Sequence, residues 1–366
     1  MEQEINATIS QVKQQYAPDS RTAIFEIEAT SIENRILIKG ETNLPEAKKA
    51  LLETLENRKL DVIDSINLLP ATSLLKPNGL ISISVANIRS TPEHSSELST
   101  QLTLGMSVKI LKEQQSWYLI QGPDQYIGWI NKGVVQEFNQ EEMKQWQESG
   151  KIIYTNMYGF AYATEDKDGK KVSDLVAGNI LKLLEEKAKF YKAEFPDKRV
   201  AYLDKNESAS LETWLQESAN ENQLVNTAFE MMGIPYLWGG TSVKGVDCSG
   251  FTKTIFFLNR QLIPRDASQQ VEVGELIDET GNFENLMTGD LLFFGSRDSN
   301  KRERVVHVGM WIGNNEFIHA SDRVMINSFD PQAANFDQYN LNRYLRTKRI
   351  TSEAQTEIMF LNNSIN

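Results

Sequence analysis

Followed along its apolar positions, the chain changes character three times. In "INATISQVKQQY", Ile5, Ile9, Val12 and Tyr16 recur at helical spacing. "RTAIFEIEAT" and "NRILIKGET" alternate instead, predicting two strands around a polar turn. "LPEAKKALLETLEN" returns to a helix with Pro45 near its first turn, and "LDVIDSINLL" adds a third strand. Residues 1–78 therefore read as a small α+β domain. It carries no chemical motif, and a scaffold or adaptor role is expected.

Over the next stretch the pattern is short strands broken by turns, as in "SVKILKEQQSWYLIQ" and "NILKLLEEKAKFYKAEF". Gly105 precedes Trp117-Tyr118 as Gly178 precedes Phe190-Tyr191. Pro123-Asp124 matches Pro196-Asp197, and Gly128-Trp129 matches Ala201-Tyr202, all at one gapless offset of 73 residues. Short, evenly punctuated strands favour small barrels over an α/β sheet. Residues 79–140 and 150–212 are thus expected to form two tandem β-barrels.

Beyond that, "LVNTAFEMMG" is an amphipathic helix closed by Gly233, and "IPYLWGGTSVKGVDCSG" is a glycine-rich loop. "FTKTIFFLNRQL" is helical with Phe251, Ile255 and Phe256 on one face, while "DLLFFG", "VVHVGMWIG" and "EFIHAS" read as strands. A second α+β domain is expected over 220–355, making the whole a multidomain α+β protein.

Composition removes several functions. Lys and Arg total 38 against 50 Asp and Glu, a net charge of −12 over 366 residues without a basic block, so no nucleic-acid partner is expected. No apolar run approaches the ~18–20 residues of a membrane span. The acidic, polar opening "MEQEINATIS" is no signal peptide. A cytoplasmic protein is expected, or one of the periplasm or cell envelope if a leader precedes this numbering. A single cysteine excludes an intrachain disulfide and a cysteine zinc cluster, and nothing argues for a metal or other cofactor.

That cysteine, Cys248, stands in "GVDCSGF". Free cysteine is often inert core. Here a loop of glycines and Asp247 delivers it to the first turn of an apolar helix, where N–H groups and the helix dipole would lower a thiol pKa, and Gly250 would leave the sulfur approachable. A thiolate nucleophile needs an imidazole, and a third group to orient it. His307 and His319 lie twelve residues apart around "GNN". A three-residue loop there would set His319 opposite Gly309, with His307 a diagonal away on the same face and no side chain between them. His94 reads as a surface residue.

"YLWGG", "DCSGF", "PRDASQQ", "GDLLFF", "HVGMWIG" and "IHAS", in this order over roughly 225–350, resemble the NlpC-type branch of the papain-like cysteine peptidases. "ANIRSTPEHSSELSTQLTLGMSVKIL" followed by "GWI" resembles a bacterial SH3-like domain, so the two barrels are expected to be SH3-like. The first resemblance implies Cys248 as nucleophile, His307 as general base and acid, His319 as the orienting group, and Tyr236 supporting the oxyanion. It also implies hydrolysis of cell-wall stem peptides between γ-D-Glu and a diamino acid. The tandem barrels narrow the likeness to the dipeptidyl-peptidase VI type, γ-D-glutamyl-L-diamino acid endopeptidases that require a free N-terminal L-Ala. The implied partner is then a peptidoglycan-derived peptide, L-Ala-γ-D-Glu-diamino acid. On this likeness Asp266 meets the substrate ammonium, Arg265 the D-Glu α-carboxylate, and Glu93 and Tyr126 reach in from the first barrel. Trp238, Asp247 and Ser249 complete the substrate-binding set. Ala267 stands where many relatives carry serine. The alternatives are a general hydrolase of intact wall, a thiol acyltransferase, and a non-catalytic wall-peptide binder.

Overall fold

The computed structural model describes residues 2–32, 35–217 and 221–350. Residue 220 and residues 351–355 of the expected C-terminal domain lie outside the described residues. No described helix is long and apolar enough to cross a membrane.

At the N-terminus, helices Glu2–Tyr16 and Pro45–Asn57 pack on a three-stranded sheet of Phe25–Ile32, Arg35–Thr42 and Val62–Leu68. The first pair is antiparallel; the second is parallel, because the helix Pro45–Asn57 carries the chain back across the sheet between them. Ile5, Ile9, Val12, Ile38, Leu51 and Leu55 form the core, so the apolar spacing that predicted each element is the face it buries.

The 73-residue offset is a structural repeat. Two seven-stranded sheets follow in which the strands, numbered along each copy, stand in the same spatial order. Strands Trp117–Gln121 and Ile127–Asn131 correspond to Phe190–Glu194 and Val200–Asp204, and the 3-10 turns Lys132–Val134 and Lys205–Glu207 keep the same interval. Gly105 and Gly178 both have positive φ, +80° and +88°. They are also points of contact between modules. A Cβ on Gly105 would stand 2.1 Å from the Ile180 carbonyl oxygen of the second copy. One on Gly178 would stand 2.5 Å from Phe257. Between the copies lies a helix, Gln140–Glu148, that hydrophobic periodicity missed; the capping box of Asn139 and Glu142 starts it, and Met143 and Trp146 anchor it.

The C-terminal unit is a six-stranded sheet, ordered Glu275–Asp278, Tyr344–Arg349, Leu291–Arg297, Glu303–Gly313, Glu316–Ala320, Val324–Ser328. Against it pack helices Glu221–Glu230 and Cys248–Leu258 in a core containing Phe251, Ile255, Phe293 and Val308. The second helix is buried from Cys248 to Phe257, not on one face alone. The first barrel copy covers its other side, where Lys253 pairs with the buried Asp124.

Candidate active site

Cys248 opens its helix, and Asp247 is the N-cap, accepting the Gly250 N–H at 2.7 Å. Asp247 also accepts the Gly239 N–H at 2.9 Å and takes Arg265 in a two-pronged pair at 3.1 and 2.6 Å. Arg265 is only 1% exposed and further donates to Ser249 Oγ and Thr100 Oγ1, both at 3.0 Å. The carboxylate of Asp247 thus has its acceptor sites filled. It fixes the loop that carries the nucleophile and also lines the cleft beside Cys248. Arg265 is withdrawn from the cleft by the same pairing, which corrects the expectation that it receives a substrate carboxylate. Gly250 has a packing reason of its own: a Cβ there would lie 1.9 Å from the Gly240 carbonyl oxygen.

The histidine hairpin has the expected pairing but not the expected loop: Gly313 pairs with Glu316, so the turn holds two residues instead of three. Met310 pairs with Ile318 and Trp311 with Phe317, and a Cβ on Gly309 would stand 3.2 Å from the Cβ of His319. A bulge between Trp311 and Gly313 lets the tight turn at Asn314 and Asn315 keep that register. His307 Nε2 lies 2.7 Å from His319 Nδ1, and His319 Nε2 lies 3.0 Å from Asn327 Oδ1. With the Asn327 oxygen as acceptor, His319 donates from Nε2 and accepts the Nε2–H of His307 at Nδ1. Nδ1 of His307 is then its basic nitrogen. Asn327 was not foreseen; a polar residue in a short edge strand gives no sequence signal.

Charge at the site departs from expectation. Burial, with Asp247 adding to it, pushes the Cys248 thiol up to about 11, although the Val308 and Ser249 N–H groups and Arg265 favour the thiolate. The expected depressed pKa fails because the helix terminus is buried and capped by a carboxylate. Burial, reinforced by His319, holds His307 well below its usual value, and burial lowers His319 against the opposing Asn327 bond. Near neutral pH a thiol therefore accompanies neutral imidazoles.

Cys248 faces a cleft of about 610 Å³ between the peptidase unit and the first barrel copy. Tyr236, Trp238, Ser249, Asp266 and Tyr126 line it. Burial raises the Tyr236 phenol, with Cys248 and Asp247 adding, so it remains an O–H donor. Tyr126 donates to Asp266 Oδ2 at 3.3 Å. Trp238 donates from Nε1 to Glu97 Oε1 at 2.7 Å. Glu93 is exposed and does not line the cleft: the chain turns back between Glu93 and Ser96, and Glu97 faces the cleft in its place. Two cleft-lining cations were missed, Arg304 and Arg21. His94 is exposed beside Trp117.

A cysteine at a helix start whose sulfur takes the Val308 N–H, on the strand that carries His307, together with two hydrogen-bonded histidines on that hairpin, is the equipment of a cysteine peptidase. The NlpC/P60 family model matches residues 233–344 and the Bacterial SH3 domain model residues 84–136. A gamma-D-glutamyl-L-lysine dipeptidyl-peptidase of Bacillus cereus is 31% identical over 241 residues, spanning 62% of this chain and 68% of the relative. Dipeptidyl-peptidase 6 of Lysinibacillus sphaericus is 26% identical over 70% of this chain and 93% of its own. The crystal structure of an NlpC/P60 family protein from Bacillus cereus superposes with a TM-score of 0.64 at 25% identity, covering 74% of this chain and 99% of that one. The chain belongs to the NlpC/P60 family of peptidoglycan peptidases.

Proposed function

We propose that the protein hydrolyses the γ-D-glutamyl–diamino acid bond of peptidoglycan stem peptides with a free N-terminal L-Ala. The observation that carries this reading is the cleft wall. Tyr126 of the first barrel copy and Asp266 of the peptidase unit share a hydrogen bond in the cleft that Cys248 faces. A carboxylate and a phenol there suit an ammonium a short peptide length from the sulfur. Relatives named gamma-D-glutamyl-L-lysine and dipeptidyl peptidases support the same bond.

In this mechanism His307 removes the thiol proton as sulfur attacks the γ-carbonyl carbon. The oxyanion takes the Cys248 N–H and the Tyr236 hydroxyl. His307 then protonates the departing amine, leaving a thioester that a water, deprotonated by His307, hydrolyses to free the thiol. His319 and Asn327 keep the imidazole in the productive tautomer. With Arg265 engaged by Asp247, the D-Glu α-carboxylate is assigned to Arg304.

The test is cleavage of L-Ala-γ-D-Glu-L-Lys against its N-acetylated form. Acetylation removes the ammonium that would share Asp266 with Arg21 and adds bulk beside Ser20 and Arg21, so kcat/KM should fall by roughly one to two powers of ten. Comparable rates on both peptides, or efficient solubilisation of intact wall, would favour a general wall hydrolase instead.

A further inference from the structure

The N-terminal domain, expected to be a scaffold, reaches the cleft. Its loop between helix Glu2–Tyr16 and strand Phe25–Ile32 places Ser20 and Arg21 on the cleft wall. Arg21 donates from Nη1 to Asp266 Oδ2 at 2.8 Å and to Ser268 Oγ at 2.9 Å. Its Nε and Nη2 grip Asp19 at 2.8 and 2.7 Å, and Gln269 donates to Asp19 at 2.8 Å. The loop backbone is tied to the first barrel copy: Ile127 N–H donates to the Arg21 carbonyl at 2.7 Å, and Gln121 to that of Thr22 at 3.0 Å. Three modules therefore meet at one carboxylate, Asp266, which accepts from both Arg21 and Tyr126 through Oδ2.

We infer that Arg21 is a positioning residue for Asp266 and that the N-terminal domain is part of the substrate-selecting wall; the inference rests on the proposed recognition of a free amine. The charges decide the role. Arg21 ties Asp19 and Asp266, while Arg265, whose Nη1 lies 3.8 Å from Asp266 Oδ1, is paired with Asp247; two guanidinium groups thus face three carboxylates, leaving one negative charge to meet one ammonium. By holding Oδ2, Arg21 leaves Oδ1, which Arg265 Nη1 approaches only to 3.8 Å, to accept the substrate amine. Its fork is what a lysine cannot reproduce. An acyl extension on that amine would run toward Ser20 and Arg21, which the barrel and peptidase contacts hold in place.

The experiment measures kcat and KM for L-Ala-γ-D-Glu-L-Lys and its N-acetylated form in the unaltered protein and in Arg21→Gln, Arg21→Lys, Asp266→Asn and the Arg21→Gln/Asp266→Asn double variant. Losing one charge-assisted hydrogen bond should cost Arg21→Gln about tenfold in kcat/KM on the free-amine peptide, mainly through KM. The acetylated peptide should lose far less, Arg21→Lys should recover part of the loss, and the double variant should be no worse than Asp266→Asn. An equal loss on both peptides, or additive losses in the double variant, overturns the inference. Equal cleavage of both peptides by the unaltered protein overturns the free-amine reading beneath it. Undiminished discrimination in Arg21→Gln overturns the Arg21 inference alone.

Discussion

Cys248 sits at the positive end of a helix and is nonetheless held as a thiol, since burial and the adjacent Asp247 outweigh the N–H groups aimed at it. His307 is displaced the opposite way, so a pre-formed thiolate–imidazolium pair is disfavoured and proton transfer must accompany attack. The pH dependence follows with a definite sign. His307 serves as base only when unprotonated, and its pKa lies below 6.5. Thus kcat/KM should hold as pH falls to 6.5 and decline only below it. On the alkaline side, neither group loses its starting protonation until the thiol ionises at about 11. A resting ion pair would behave differently, losing activity at moderately alkaline pH as the imidazolium deprotonated. Because the substrate ammonium itself titrates at about 8 and limits the alkaline side in either case, the acid limb decides: a fall centred above pH 6.5 would contradict the neutral base. The sequence revealed Cys248 as candidate nucleophile through its glycine-flanked position. It could not reveal the sign of the pKa shift, which depends on how deeply the fold buries that position.

At the scale of elements, the strongly periodic segments were legible: the N-terminal helices and strands, and the 73-residue repeat, follow from spacing alone. The histidine hairpin was legible because a one-residue slip would put the imidazoles on opposite faces. Arg265 was not. "PRDAS" sets two charges side by side, but only the fold shows that one turns inward to Asp247, eighteen residues earlier, and the other toward the cleft. Arg21 was beyond reach too, since its partner Asp266 lies 245 residues away. Gly309 ties the hairpin's register to chemistry. A Cβ there meets Phe317 at 3.0 Å and His319 at 3.2 Å, so alanine fits with a small shift while valine must push the imidazole away. Because a displacement near 1 Å can cost about 10²-fold, Gly309→Val should lose about two powers of ten in kcat, and Gly309→Ala less than about tenfold. Equal rates in the two variants would show that Gly309 does not set the histidine spacing.

Across the whole molecule, the peptidase helix and the first barrel copy are joined by a buried ion pair, Lys253 with Asp124, their side chains 9% and 1% exposed. The repeat shows what is special about it: the equivalent of Asp124 is Asp197, which sits in a partly exposed pair with Arg199 of its own copy. One aspartate closes a turn locally, while its counterpart was recruited to dock a second domain. Asp124 also accepts the Tyr126 N–H at 3.2 Å through Oδ1, so the residue that anchors the barrel to the catalytic helix also steadies the tyrosine whose hydroxyl meets Asp266. Removing it should therefore affect stability and selectivity together. Asp124→Ala leaves the Lys253 ammonium buried without its anion, a change worth about 3–5 kcal/mol. Replacing Lys253 as well by methionine removes the stranded charge and should restore most of that loss. The measurement is the urea midpoint of the tryptophan fluorescence change: lower in Asp124→Ala, and largely recovered in Asp124→Ala/Lys253→Met. Discrimination against the N-acetylated peptide should stay impaired in both, because neither variant restores the hydrogen bond that holds the Tyr126 turn. A double variant that regained full discrimination would separate docking from recognition, and an unchanged midpoint in Asp124→Ala would show that the pair does not hold the two domains together.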